Sequence, residues 1–225
     1  MFNIFLSVMK KELHKLYIFW LGVLVFNFCV IGYTSVLMNR LFRMDHAETV
    51  WYYAMHIGEI FYTPLLFVPL LSGIVFAVAQ FLPETRNERF RICLHLPVTP
   101  YFVIAAHVGS GLVALLLVFA LDAFFLGVMT SSKFPIEFVQ RSLLSFMPWL
   151  LAGINAYLGA ALVLLEPSWR GRIFNLIVSC GFVGLFLLKA EAGGYANVLL
   201  SLVILSVLFG FCILIPTFNF RYRRV

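Results

Sequence analysis

A few groupings in this 225-residue chain carry residue types that could do chemistry. Gly109-Ser110-Gly111 lies just past His107, and a serine beside an imidazole is the minimum for a nucleophile and its base. No Gly-x-Ser-x-Gly elbow surrounds it, so the small residues read as a close helix contact. Asp122 sits inside a long apolar run, where a carboxyl is a functional suspect by default. It either reaches the outer interface or serves a polar cavity or subunit contact. Between Asn39 and Glu59 lie Asp45, His46, Glu48, His56 and Glu59, with Met38, Met44 and Met55 close by. These are transition-metal ligand types. Their spacing fits no ligand pattern, so the stretch reads as a solvated loop, with Trp51, Tyr52 and Tyr53 as interfacial aromatics. There is no Gly-x-x-x-x-Gly-Lys-Ser/Thr loop and no His-Glu-x-x-His helix. The chain is expected to be non-catalytic, with no metal or cofactor of its own.

The most informative stretch is Gln80–Pro100, QFLPETRNERFRICLHLPVTP. Pro83 is expected to end the preceding helix. Glu84, Glu88, Arg89 and Arg91, with Arg86, then make a short charged helix, and Phe90, Cys93, Leu94 and Leu96 give it an apolar edge. Thr99 suits an N-cap and Pro100 the first position of the next helix. A short amphipathic helix bracketed by prolines suits docking to a soluble partner. The plain alternative is a connector lying on the headgroups.

The elements that hold these residues follow from composition. The chain is 63% hydrophobic and 12% charged, far from the soluble norm, so its natural solvent is lipid. Disorder is excluded by the same apolarity, and a disulfide scaffold by only four unpatterned cysteines, Cys29, Cys93, Cys180 and Cys212. The 25 Phe residues suit a lipid-facing surface. Six apolar runs long enough to cross a bilayer as helices are expected, at about 17–38, 60–82, 101–129, 143–165, 173–188 and 198–217. Alternation of period two is absent, which argues against a membrane barrel. The expected fold class is therefore an all-α integral membrane protein, one transmembrane domain over residues 1–225. Residues 1–16 are expected to form an amphipathic interfacial helix, with Phe2, Phe5, Leu6, Met9, Leu13 and Leu16 on one face and Lys10, Lys11, His14 and Lys15 elsewhere. The first run is too long for a cleaved signal peptide and no small-residue cleavage site follows it.

Orientation follows from basic residues. One side holds eleven: Lys10, Lys11, Lys15, Arg86, Arg89, Arg91, Arg170, Arg172, Arg221, Arg223 and Arg224. The other holds five: Arg40, Arg43, Lys133, Arg141 and Lys189. The richer side is expected to be cytoplasmic, with both termini there. The net charge of +6 is then attraction to anionic lipid headgroups, not a nucleic-acid footprint. The interior otherwise reads as poor in charge, which argues against a proton- or sodium-coupled carrier.

The inner stretch resembles the permease subunits of ABC transporters of the ABC-2 type. In that family a Glu precedes a Leu pair, Pro-Val-Ser/Thr, and a Lys ten residues after the first Pro. Glu84 or Glu88, Leu94, Leu96, Pro97, Val98 and Thr99 match, and the Lys position falls on His107. The amphipathic start resembles the family's membrane-entry elbow. Family members often carry re-entrant helices before the last span, and Lys189–Asn197 is too short for a full pair. The resemblance implies a permease of the bacterial plasma membrane, an exporter, working with a second permease subunit and separate ATP-binding subunits. ATP and magnesium would be held by those partners. Glu84, Glu88, Arg89, Phe90, Arg91 and Leu94 would couple to the ATPase. By position, Glu166–Arg172 would be a second, smaller contact. Lipids, hydrophobic drugs or peptides, or haem are the implied cargo classes. Two rivals stand beside this reading. One is the haem-exporter-type permease of cytochrome c maturation. The other is an integral-membrane enzyme or assembly factor without an ATPase partner, which would need polar residues converging at one depth.

Overall fold

The computed structural model of the chain describes residues 2–86, 100–188 and 193–216, and among them every regular element is helical. Helix α1 runs unbroken over Phe2–Met44. The separate interfacial helix expected over 1–16 is instead continuous with the first span. The reason is local: no proline occurs before Pro64, and Gly22 and Gly32 face open space. Forty-three residues make a rod of about 64 Å, roughly twice the hydrocarbon thickness, so α1 extends beyond the lipid or tilts strongly.

The short α2 (Ala47–Tyr52) follows, capped by His46, and passes into one π-helical turn over Tyr53–Ile57. Gly58 ends that turn with φ +73°, a left-handed conformation that glycine adopts without a Cβ clash. A single 3₁₀ turn at Thr63–Leu65 leads into α3 (Val68–Arg86). Pro83 lies inside α3 and does not end it. A proline is tolerated in a membrane helix when neighbours satisfy the carbonyls it disturbs. The carbonyl that loses its N–H partner is that of Ala79, four residues back, and Lys15 Nζ donates to the adjacent Gln80 carbonyl at 2.7 Å.

Helix α4 spans Pro100–Ser131 and starts at the proline the sequence nominates. Helix α5 spans Ile136–Leu165, beginning a full turn and more before the expected Leu143, because Pro135 already sets its N-terminus. Helix α6 spans Trp169–Phe186, with Ser168 as N-cap accepting from the Gly171 amide at 3.2 Å. Helix α7 spans Leu199–Phe211. The turn before it holds Gly193 at φ +84°.

Among the described residues, five helical stretches are long and apolar enough to cross a membrane: Met9–Met44, Thr63–Thr85, Tyr101–Ser131, Ile136–Leu165 and Leu199–Pro216. The run expected at 173–188 is helical within α6, but α6 opens on Arg170 and Arg172 and is not among the five.

Helix α5 is the hub, packed against α3, α4, α6 and α7, while α1 lies against α3 and α4. Small residues let α5 do this, since Ala152, Gly153, Ala156, Gly159 and Ala161 line its buried faces. At the closest crossing, a Cβ on Gly73 would meet the Gly153 carbonyl, and one on Gly153 would meet the Pro69 carbonyl and the Phe119 ring. The phenylalanines divide between two roles. Phe19, Phe26, Phe124 and Phe174 face outward as expected, whereas Phe76, Phe81, Phe138, Phe146 and Phe186 are fully buried. In lipid an aromatic ring is equally at home on either side, so packing rather than hydrophobicity sorts them.

Candidate functional site

Near the amino-terminal end of α1, four helices turn polar groups toward one point. Helix α1 contributes Glu12, Lys11 and Lys15. Helix α3 contributes Gln80 and Glu84, one helical turn apart. Helix α4 contributes His107 and Ser110, and α5 contributes Tyr157. Glu12, Gln80, Glu84, His107, Ser110 and Tyr157 are all buried.

Gln80 is the centre. Its amide Nε2 donates to the His107 carbonyl at 2.6 Å, to Ser110 Oγ at 3.2 Å and to Glu12 Oε2 at 3.3 Å. Its Oε1 accepts from the Tyr157 hydroxyl at 2.8 Å. Gly111 makes this possible, because a Cβ there would collide with both Tyr157 OH and Gln80 Oε1. The Gly109-Ser110-Gly111 patch is thus a close-packing element, as its composition suggests, though only Gly111 is tightly opposed. Ser110 Oγ donates to the His107 carbonyl at 2.7 Å, a bond within its own helix that spends the proton a nucleophile would surrender.

The charges pair across helices. Lys15 Nζ lies 3.1 Å from Glu84 Oε1 and 3.8 Å from Glu12 Oε2. Lys11 Nζ lies 3.8 Å from Glu84 and 4.0 Å from Glu12. His107 Nδ1 is 3.5 Å from Glu12 Oε1. Two carboxylates facing two ammonium groups leave the cluster near neutral, which is how buried charge is tolerated. Glu12 Oε1 and Glu84 Oε2 accept no hydrogen bond among the described residues.

This cluster corrects two expectations. The interior is not poor in charge at its basic end. Glu84, taken from the sequence as a docking residue on the surface, is 4% exposed and tied to α1. Extending α3 through Pro83 is what turns Glu84 inward. Glu88, Arg89, Phe90, Arg91 and Leu94 lie outside the described residues, as do Cys93, Leu96, Pro97, Val98 and Thr99. On the first helix Glu12 and Leu16 are buried within the bundle while Leu13 is exposed.

Asp122 lies about 22 Å further along α4 from His107, at 1.5 Å per residue. It does not reach the interface: it is 2% exposed, and Asn27 Nδ2 of α1 donates to its Oδ2 at 2.7 Å. Ser72 Oγ of α3 donates to Asn27 Oδ1 at 3.3 Å and to the Val68 carbonyl at 2.9 Å. The carboxyl therefore joins α1, α3 and α4 within one chain. Asp122→Leu is expected to destabilise the purified protein by about 1–2 kcal/mol, the range for hydrogen bonds between membrane helices. Asp122→Asn, which keeps an acceptor oxygen, should recover most of it. Thermal unfolding in detergent measures both, and a Leu variant as stable as the parent would remove Asp122 from the site.

On the opposite side, His56 stacks on Tyr52 at 5.0 Å and His46 caps α2. Among the described residues no three His, Cys, Asp or Glu side chains gather as a metal site. In the second inner turn, Glu166 Oε1 accepts from Ser168 Oγ at 2.8 Å, which folds that carboxylate back on its own loop.

Glu12, Asn27, Gln80 and Tyr157 are absent from the sequence-derived candidates. A signal for one of them, Gln80, was present: Ser72, Phe76, Gln80 and Glu84 recur every fourth residue, and all four are buried on α3. Comparison with family models, with curated proteins and with solved structures gave no match to this chain.

Proposed function

We propose that the chain is the membrane-spanning permease subunit of an ABC transporter of the ABC-2 type, an exporter coupled to a separate ATPase through the 83–100 loop. In this reading α6 is the fifth of six spans, with Arg170 and Arg172 at its cytoplasmic end, and both termini are cytoplasmic. The five apolar helices and the basic asymmetry support it.

One observation carries it beyond the motif. The root of the 87–99 loop is fastened to three other helices at once: Glu84 and Gln80 bind Lys15 of α1, and Gln80 also binds α4 and Tyr157 of α5. A push on that loop would reach α1, α4 and α5 without passing through lipid. His107, at the family's Lys position, faces Glu12 and so serves the same fastening. Asp122, in its bond to Asn27, holds the bundle together away from the loop.

Phe90→Ala should weaken the complex with the ATP-binding subunit by about 1–3 kcal/mol if Phe90 is the apolar anchor of the contact. Co-purification from native membranes in mild detergent reads this out, and undiminished ATPase recovery would argue against the loop as the docking element. A reporter fused after residue 224 is expected to remain cytoplasmic; an external signal would overturn the topology.

The buried cluster favours a second reading, an integral-membrane protein acting without an ATPase. Glu12, Lys15, Gln80, Glu84 and His107 do converge at one depth, as that reading requires. Activity of the purified chain alone would select it.

A further inference from the structure

Two cavities of about 400 Å³ each lie side by side along α6 and share Val163, Leu164 and Leu176. Together they form one groove between α3 and α6, floored by α5. Ala156, Gly159 and Ala160 line the floor, and Gly159 lets α6 approach closely, since a Cβ there would meet Ser179. Gly184 leaves its upper wall open, since a Cβ there would meet nothing within 4 Å.

The two ends differ in chemistry. The upper part is almost wholly apolar, with Ile74 and Val78 on one side and Cys180 and Val183 on the other. From Leu176 to Leu187 α6 rises about 16 Å. One leaflet of hydrocarbon is about 15 Å deep, half the bilayer core. The lower mouth holds Thr85, Trp169 and Arg172. Trp169 is 73% exposed, at the position of an interfacial belt residue. Arg172 Nε donates to the Glu166 carbonyl at 2.7 Å, which fixes the guanidinium at the mouth. No carboxylate pairs with it among the described residues, and the Glu166 carboxylate instead accepts from the Ser168 amide and hydroxyl. A fixed cation with no carboxylate partner among the described residues, opening onto an apolar channel about one leaflet long, has the charge pattern of a lipid site.

We propose that this groove holds one acyl chain of a phospholipid whose anionic headgroup rests on Arg172. This goes beyond the transport reading and does not depend on it. The lipid belongs to the leaflet on the Arg172 side, and its phosphate takes the Nη donors that the protein leaves open.

The test uses the full chain in phosphatidylcholine nanodiscs doped with phosphatidylglycerol, followed by native mass spectrometry of the released protein. Phosphatidylglycerol should be retained over phosphatidylcholine by about five-fold or more, as one basic residue near a membrane surface contributes about 1 kcal/mol. Arg172→Gln should abolish that preference, while Arg170→Gln should keep it. Ile74→Trp, at a half-exposed wall position, should fill the groove and release both lipids from a monodisperse protein. Equal retention of the two lipids by the parent would overturn the proposal. So would a preference that survives Arg172→Gln, or retention unchanged by Ile74→Trp.

Discussion

Glu84→Lys should cost the protein its folded state, whereas Glu88→Lys should leave it folded and release the ATPase. Both residues lie in the charged stretch that the sequence assigns to one surface helix. Glu84 is buried with its carboxylate 3.1 Å from Lys15 and 3.8 Å from Lys11. Reversing it would place a third ammonium beside those two with no acid but Glu12 to answer them. Removing one partner of a buried ion pair costs about 3–5 kcal/mol, and Lys15 is partly solvated, so the lower end applies to neutralisation. Charge reversal should exceed it. Glu84→Gln should retain the fold with a loss of about 3 kcal/mol, that lower end, because the amide still accepts from Lys15. Monodisperse gel filtration beside ATPase co-purification separates the cases. A well-folded Glu84→Lys protein would mean that the α1–α3 fastening contributes little.

Gly153→Leu should be nearly as damaging, for a steric reason. The first added carbon already overlaps the Pro69 carbonyl and the Phe119 ring, and backbone cannot move aside as a side-chain end can. Overpacking a tight core costs about 1–3 kcal/mol where the neighbours can shift, and more where they are backbone. The α3–α5 crossing would have to open, and α5 is the hub of the bundle. Gly109→Leu is the matched control, because its added carbon meets nothing within 4 Å, and it should be tolerated. Expression and thermal stability in detergent should rank parent and Gly109→Leu together, well above Gly153→Leu.

Much of the architecture was readable because apolar runs in lipid need no further specification. The helix start at Pro100 and the small-residue contact at Gly111 followed from residue type alone. The failures have physical causes. Pro83 was expected to stop α3, but the helix continues past it, with Lys15, 68 positions away in the chain, bonded to the Gln80 carbonyl just before it. With the helix extended, Glu84 faces the bundle rather than solvent. The apolar face read for residues 1–16 left Glu12 unassigned; the structure buries Glu12, since its partners Gln80 and His107 lie on other helices. Asp122 was divided between interface and interior, and only the position of Asn27 on α1 decides it. Pairings across helices are tertiary facts, and a hydrophobicity profile holds no trace of them.

Site-specific cross-linking from residue 90 tests the central claim most directly. Cys29, Cys93, Cys180 and Cys212 would be replaced, and Phe90→Cys would carry a short photoactivatable thiol probe in native membranes. The account predicts one dominant adduct with a soluble-type ATP-binding protein, lost when that protein is washed from the membranes. Adducts with lipid alone, in membranes where the ATP-binding protein is still present, would contradict it.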